Sequence, residues 1–245
     1  MEQGEAWGEV DFARYCRDNS IQISDGQIES LSRYVKSLSV WNLKHNLISR
    51  ADIHNVWKKH MLPSIGWLTQ FSLPFQAKVL DIGSGAGFPG IPLAILRPDL
   101  QVTLLDSIRK KTDSLLSIVK EIGVDNVAVV NNRAENLADT PGFLRAFDFT
   151  IARAVAPLAD LIQWSIPLLS KSRTEKHQFP SDGAIPKPRL EPPLLLALKG
   201  GDLAAEIRDA SRKFRNLKCE EVNLKFHSLE PSDLLNKKLV IVQFR

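Results

Sequence analysis

From Ala77 onward, short aliphatic and β-branched runs alternate with stretches whose apolar residues recur at helical spacing. The runs predict strands over Lys78–Ile82, Gln101–Leu105, Val127–Val130, Phe147–Ile151, Leu194–Leu198, Glu220–Phe226 and Leu239–Phe244. The intervening stretches predict helices over Gly90–Leu96, Lys110–Ile122, Leu158–Leu169 and Leu203–Phe214. This alternation predicts an α/β fold, a doubly wound, mainly parallel seven-stranded sheet with helices on both faces. The last two runs are joined without a convincing helix, which permits an antiparallel hairpin at the sheet edge.

Upstream the period is helical. Ser24 with Gln27 three positions later forms a capping-box pattern, and Ile28, Leu31, Val35 and Leu38 follow at helical spacing. A second helix is predicted from about Asp52 to Gln70, with Pro63 kinking or dividing it. The expected division is therefore an N-terminal helical extension over 1–72 and a catalytic domain over 73–245. Lys171–Pro193 breaks the rhythm: it holds five of the fourteen prolines and few apolar residues, and reads as a flexible insert over 171–193 before the fifth strand. No internal repeat is visible.

A chain of 245 residues with 44% hydrophobic and 24% charged content can bury one substantial core, with room for a small subdomain. The net charge of +4 and pI near 9.1 permit a polyanionic partner without requiring one. Their distribution is more informative. Arg33–His60 carries six Lys or Arg against one acid, after an acidic lead-in of nineteen residues; on charge alone a solvated helix face is the preferred explanation. Cys16 and Cys219 have no metal-ligand or redox spacing, which suits a reducing compartment. With no signal-like N-terminus and no apolar run long enough to span a bilayer, the expected setting is cytoplasmic, away from membranes, with a monomer as the default.

The chemistry gathers at Val79-Leu80-Asp81-Ile82-Gly83-Ser84-Gly85-Ala86-Gly87-Phe88-Pro89-Gly90, a strand running through a glycine cluster into a helix. Gly83, Gly85 and Gly87 allow a tight turn and close backbone approach to a nucleotide-like ligand. Gly85-x-Gly87-x-x-Gly90 also satisfies the dinucleotide fingerprint. S-adenosylmethionine is favoured because Asp81 can organise the loop and answer an ammonium, where a pyrophosphate would be repelled, and because Pro89 removes an N–H that a pyrophosphate would use. Asp106 ends the second run, where an acid takes ribose hydroxyls or caps the next helix, with Ser107 and Ile108 following along the adenosine. Ala134 and Glu135 are placed to meet the adenine edge, though a surface glutamate fits there as well.

The fourth run ends in Ala152-Arg153-Ala154-Val155-Ala156-Pro157, without the Asp/Asn-Pro-Pro-aromatic run that holds an exocyclic amine. Guanine N7 needs no proton removed, so positioning can carry its methylation. Arg153 and Lys199 are the candidate catalytic residues, recognising an O6/N7 edge or a phosphate, with an ordinary salt bridge as the alternative. No clustered ligands point to a metal.

These motifs, with Trp41-Asn42-x-x-x-Asn46-Leu47, Asp106-Ser107, Arg133-Ala134-Glu135 and Leu198-Lys199-Gly200-Gly201, resemble the glucose-inhibited division protein B family of bacterial 16S ribosomal RNA 7-methylguanosine methyltransferases. The resemblance spans roughly Leu31 to Gly201. It implies a class I, Rossmann-like methyltransferase fold and an S-adenosylmethionine site containing Gly83, Phe88, Asp106, Ser107, Ile108, Ala134, Glu135 and Arg153. It also implies a guanine of small-subunit 16S ribosomal RNA as substrate, with Asn42, Asn46, Lys110, Lys111 and the basic segment on the RNA side. The chain departs from the family pattern in its longer proline-rich insert and in the run Ile108-Arg109-Lys110-Lys111. Two alternatives remain at this point: an NAD-type oxidoreductase, suggested by the glycines, and a nonenzymatic RNA-binding or ribosome assembly factor on the same scaffold.

Overall fold

Seven strands form one sheet in the order β3-β2-β1-β4-β5-β7-β6 in a computed structural model that describes residues 7–171, 177–181, 186–225 and 237–244. They are β1 (Lys78–Ile82), β2 (Gln101–Asp106), β3 (Val127–Asn131), β4 (Phe149–Arg153), β5 (Leu194–Gly200), β6 (Leu217–Asn223) and β7 (Lys237–Phe244). β1 to β5 pair in parallel, and β7 runs antiparallel to both β5 and β6. The order reverses between β1 and β4, and a doubly wound sheet offers a crevice for ligands at the carboxyl ends of its strands at such a point.

The central strands read as continuous apolar runs because both faces are covered. Val79, Leu104, Phe149, Ile151 and Leu196 pack into one core, while Leu80, Ile82, Leu105, Leu195 and Val240 pack into the other. The first core also takes in α1 (Glu9–Asp18) and α2 (Asp25–His45), through Phe12, Tyr15, Leu31, Tyr34 and Leu38. Between Ile53 and Thr69 the backbone passes through a 3-10 turn, one π-turn over Trp57–Met61, the single turn α3 (Leu62–Ile65) and a second 3-10 turn. Pro63 opens α3, where its missing N–H does no harm. The sheet helices are α4 (Gly90–Leu96), α5 (Arg109–Ile122), α6 (Leu158–Leu168) and α7 (Ala204–Lys213).

Polar ties fix α2 against the sheet. The Ser24/Gln27 capping box forms as expected, and the Gln27 amide also donates to Ile95 O (2.9 Å) and Leu96 O (3.1 Å) at the end of α4. The Tyr34 hydroxyl donates to Ala86 O (2.9 Å), inside the glycine loop. His45 Nδ1 lies 2.7 Å from Ser114 Oγ on α5.

Beyond the broken helix over Ile53–Thr69 and the longer β5 and β7, three differences from expectation have a clear physical cause. α1 forms within the acidic lead-in, because Phe12, Tyr15 and Cys16 bury one face of that segment. β4 starts two residues later than the apolar run suggested: Val79 pairs with Phe149, while Phe147 bridges to Leu169. β6 starts and ends three residues earlier than expected. It is an exposed edge strand whose extent follows its register with β7, Leu217 opposite Phe244, more than its weak alternation. Of the proline-rich insert, 172–176 and 182–185 lie outside the described residues. Its last part is tied to the 72–75 segment, with Ser72 N–H donating to Pro188 O and Leu190 N–H donating to Ser72 O, both at 3.0 Å. No helix among the described residues is long and apolar enough to cross a membrane.

Candidate active site

β1 delivers the chain into the glycine loop, where Gly83, Gly85 and Gly87 all adopt positive φ. Their reasons differ. A Cβ on Gly83 would lie 2.6 Å from a methyl of Val155, which closes over the loop after β4. One on Gly87 would lie 2.5 Å from Ile91 Cδ1 and 3.1 Å from Leu115. Packing against the protein therefore requires these two glycines, and Gly87 points into the interior, away from any ligand. Gly85 is the one of the three with open space beside it.

Asp81 holds the loop from beneath. It is wholly buried, and its Oδ2 accepts the Gly90 N–H at 2.9 Å. That N–H at the start of α4 is the type of donor a dinucleotide pyrophosphate would use, and here a carboxylate occupies it. Burial pushes the Asp81 carboxyl up to about 7, against the pull of the Gly90 N–H and the Arg153 cation. Its Oδ1 is buried and makes no hydrogen bond among the described residues.

Above the loop lies a cleft of about 500 Å³ at the carboxyl ends of β1, β2 and β4. Gly83, Gly85, Phe88, Asp106, Ser107, Ile108, Lys111, Ala134, Glu135 and Arg153 line it, as the sequence predicted for all but Lys111, which was assigned to RNA. The Asp106 carboxylate bridges two loops: Oδ2 accepts Gly85 N–H (3.0 Å) and Oδ1 accepts Ile108 N–H (2.9 Å). The second bond closes a turn ahead of α5, whose N-cap is Ile108, so Asp106 is not the helix cap expected, and its carboxylate faces the cleft.

The far wall comes from the N-terminal segment. His60 on the π-turn packs at a tilt against Phe88 (centroids 5.3 Å), and Tyr34 meets the same ring edge-on at 5.4 Å. Arg153 lies with its guanidinium carbon 5.3 Å from the Phe88 centroid and donates to His60 Nδ1 at 2.7 Å. Burial and the Arg153 cation push the His60 imidazole down to about 4, so it is neutral and free to accept at Nδ1. Its Nε2 lies 3.5 Å from Asp52 Oδ2, and Asp52 is itself tied to Lys59 at 2.7 Å. The single aromatic Phe88 thus joins the glycine loop, the N-terminal segment and β4. Nothing in the spacing of His60 or Tyr34 betrayed this. The one available signal was a histidine within an otherwise apolar helical face.

Several assigned residues sit elsewhere. Asn42, assigned to the RNA side, is buried: its Oδ1 accepts Ile48 N–H at 2.8 Å and fixes the turn after α2. Asn46 is exposed and ends α2 in the left-handed conformation. Together they aim Leu47 and Ile48 at the cleft, which both line. Lys110 is exposed at the start of α5 and does not reach the cleft. Asp81 and Gly87 lie beneath the lining. Lys199 is absent from this cleft and lines a second cavity of about 300 Å³ at the ends of β4 and β5, which shares Arg153 and Ala154 with the first. Its ammonium donates to Ala156 O (2.9 Å) and to Glu206 Oε1 (2.5 Å). Ala154 adopts φ +54, a conformation alanine rarely takes, at the wall between the cavities.

A switch-point cleft above a glycine loop, on a sheet of this strand order, defines a class I methyltransferase fold. A SAM-dependent methyltransferase from Aquifex aeolicus has the same fold, with TM-score 0.52 at 15% identity over 81% of this chain and all of its own. Residues 27–175 match the family model GidB, rRNA small subunit methyltransferase G. A ribosomal RNA small subunit methyltransferase G of Lactococcus lactis subsp. lactis is 33% identical over 208 residues, 84% of this chain and 79% of the relative. One from Desulfitobacterium hafniense is 34% identical over 210 residues, covering 86% and 78%. The chain belongs to the rRNA small subunit methyltransferase G family, and it is an enzyme of the methyltransferase class.

Proposed function

We propose that this enzyme transfers the methyl group of S-adenosylmethionine to N7 of a guanine in 16S ribosomal RNA of the small subunit. The carrying observation is the wall between the two cavities. Arg153 and Ala154, shared by both, present a cation and an apolar methyl there.

The residues present fit the cofactor. The cleft volume lies within the range of small-molecule sites, Gly85 leaves the backbone approachable, and Asp81 fixes the loop from beneath through the Gly90 N–H. Asp106, with both oxygens anchored, is rigid enough to take ribose hydroxyls, while Ile108, Ala134 and Glu135 border an adenine. When bound, S-adenosylmethionine would supply an electrophilic methyl to a lone pair such as that of N7, with S-adenosylhomocysteine leaving as the neutral thioether. Arg153 is held in place by His60 and Phe88 and sits where the two ligands would meet, so it orients the acceptor and remains cationic throughout. No side chain has to take a proton, because N7 carries none. Both cavities are built from one chain, so a monomer suffices.

Outside the cavities, Arg33, Lys36, Lys44, Arg50 and Lys59 are exposed along the N-terminal segment. They supply the phosphate contacts that ribosomal RNA requires. The pH profile of the single-turnover rate tests the reading, with the methyl donor saturating. A rate flat between pH 6 and 8 is expected; a tenfold rise per pH unit would mean that a proton must be removed, and would exclude N7.

A further inference from the structure

The second cavity contains a donor and an acceptor locked side by side. Lys199 and Glu206 form an ion pair at 2.5 Å, with side chains only 12% and 26% exposed. Two of the three Lys199 ammonium hydrogens are committed, to Ala156 O and to Glu206 Oε1. Glu206 Oε1 also accepts Leu158 N–H at 2.5 Å, which fixes the carboxylate against the start of α6. Glu206 Oε2 accepts no hydrogen bond among the described residues. The pair therefore holds one uncommitted N–H beside one uncommitted carboxylate oxygen, in a cavity that adjoins the cofactor cleft through Arg153 and Ala154.

Guanine presents the matching pattern. Its O6 accepts and its neighbouring N1–H donates, whereas adenine reverses the order with an N6 donor beside an N1 acceptor. We infer that Lys199 and Glu206 form the guanine-reading element of the acceptor pocket, Lys199 donating to O6 and Glu206 Oε2 accepting from N1–H. The inference rests on the guanine-N7 reading and extends it by naming the residues that select the base. O6 lies between N1 and N7 on the purine, so holding the O6/N1 edge at α7 and the end of β5 leaves N7 free for the Arg153 wall. The same wedge of carboxylate and ammonium would repel adenine at both atoms. Lys237, exposed at the rim of the cavity, is placed to meet the phosphate of the nucleotide.

The test couples Glu206 to the base itself. Small subunits are reconstituted with 16S RNA in which the target guanine, located first from the wild-type product, is replaced by 2-aminopurine. That base has no oxygen at C6 and a lone pair in place of the N1 proton. The wild-type enzyme should lose on the order of 10- to 100-fold in kcat/KM on this replacement. Glu206→Gln should lose activity on guanine while binding S-adenosylmethionine within about twofold of wild type, and should lose far less when guanine is then replaced. An equal penalty in both enzymes would overturn the inference and leave Glu206 a structural cap. Lys199→Met leaves the Leu158–Glu206 bond in place and provides the same comparison for O6 should Glu206→Gln fold poorly. Absence of 7-methylguanosine from the wild-type reaction on unsubstituted subunits would instead overturn the functional reading beneath.

Discussion

Asp81→Asn separates the energetic cost of the glycine loop from its use. The asparagine carbonyl keeps the Gly90 N–H bond and the side-chain shape, but removes an ionisable group that is wholly buried. In the folded protein the carboxyl titrates at about 7, and in the unfolded chain at its ordinary 3.8. Between those values the folded state holds the proton and the unfolded state has released it, so folding stability falls as pH rises through the interval. At about 1.4 kcal/mol per pH unit, the wild type loses roughly 4 kcal/mol from this group between pH 4 and 7. His60 works in the opposite direction. Its folded value near 4 lies below its ordinary 6.5, so the unfolded chain binds the extra proton and stability rises with pH between 4 and 6.5. The wild-type profile therefore conceals both effects, and the difference between variant and wild type isolates Asp81. Urea unfolding of the cofactor-free proteins at half-unit intervals from pH 4 to 9 should show the variant gaining on the wild type by about 1.4 kcal/mol per unit up to pH 7, then levelling. Any fixed cost of the amide shifts this curve without tilting it. A difference constant across pH would refute the buried, uncompensated carboxylate.

Three other outcomes follow from the packing. Gly90→Ala places a methyl against Leu104 and 2.7 Å from Asp81 Oδ2, and should lower stability by about 1–3 kcal/mol in thermal unfolding; an unchanged midpoint would contradict the tight fit. Asn42→Ala strips Ile48 N–H of its acceptor and should cost about 1–3 kcal/mol in urea unfolding while weakening S-adenosylmethionine binding by calorimetry, because Leu47 and Ile48 form part of the cleft. No change in either would return Asn42 to the surface role its motif suggested. RNA affinity should fall as salt rises, and replacing Lys44 and Arg50 together by alanine should flatten the log–log slope by roughly 0.7–0.9 per residue; binding independent of salt would remove the basic segment from the interface.

The sheet was legible in the sequence because its central strands are buried on both faces and so appear as uninterrupted apolar runs, separated by stretches of helical spacing. Where burial is one-sided the signal weakened. β6, with mostly exposed or half-buried residues, was placed three residues late, and α1 escaped because its acidic surface outweighed Phe12, Tyr15 and Cys16. The cleft lining was legible for a related reason: its residues follow the ends of consecutive parallel strands, so strand prediction carries them to one edge. His60 and Glu206 reach the cavities, and Tyr34 backs Phe88, from segments whose approach depends on tertiary packing that sequence spacing does not mark. Asn42 illustrates the converse, a polar residue in a motif that suggests contact with a partner, yet whose hydrogen bond is spent within the chain. Gly83 and Gly87 likewise answer to Val155, Ile91 and Leu115 more than to a ligand.

Identification of the methylated base tests the central claim most directly. Small ribosomal subunits lacking the modification would be incubated with the enzyme and S-adenosylmethionine carrying a labelled methyl, and the RNA digested to nucleosides. Label in 7-methylguanosine, lost with Arg153→Ala, is the predicted result. Label in any other nucleoside, or 7-methylguanosine formed at the wild-type rate without Arg153, would contradict an acceptor pocket built to present guanine N7 across the Arg153 wall.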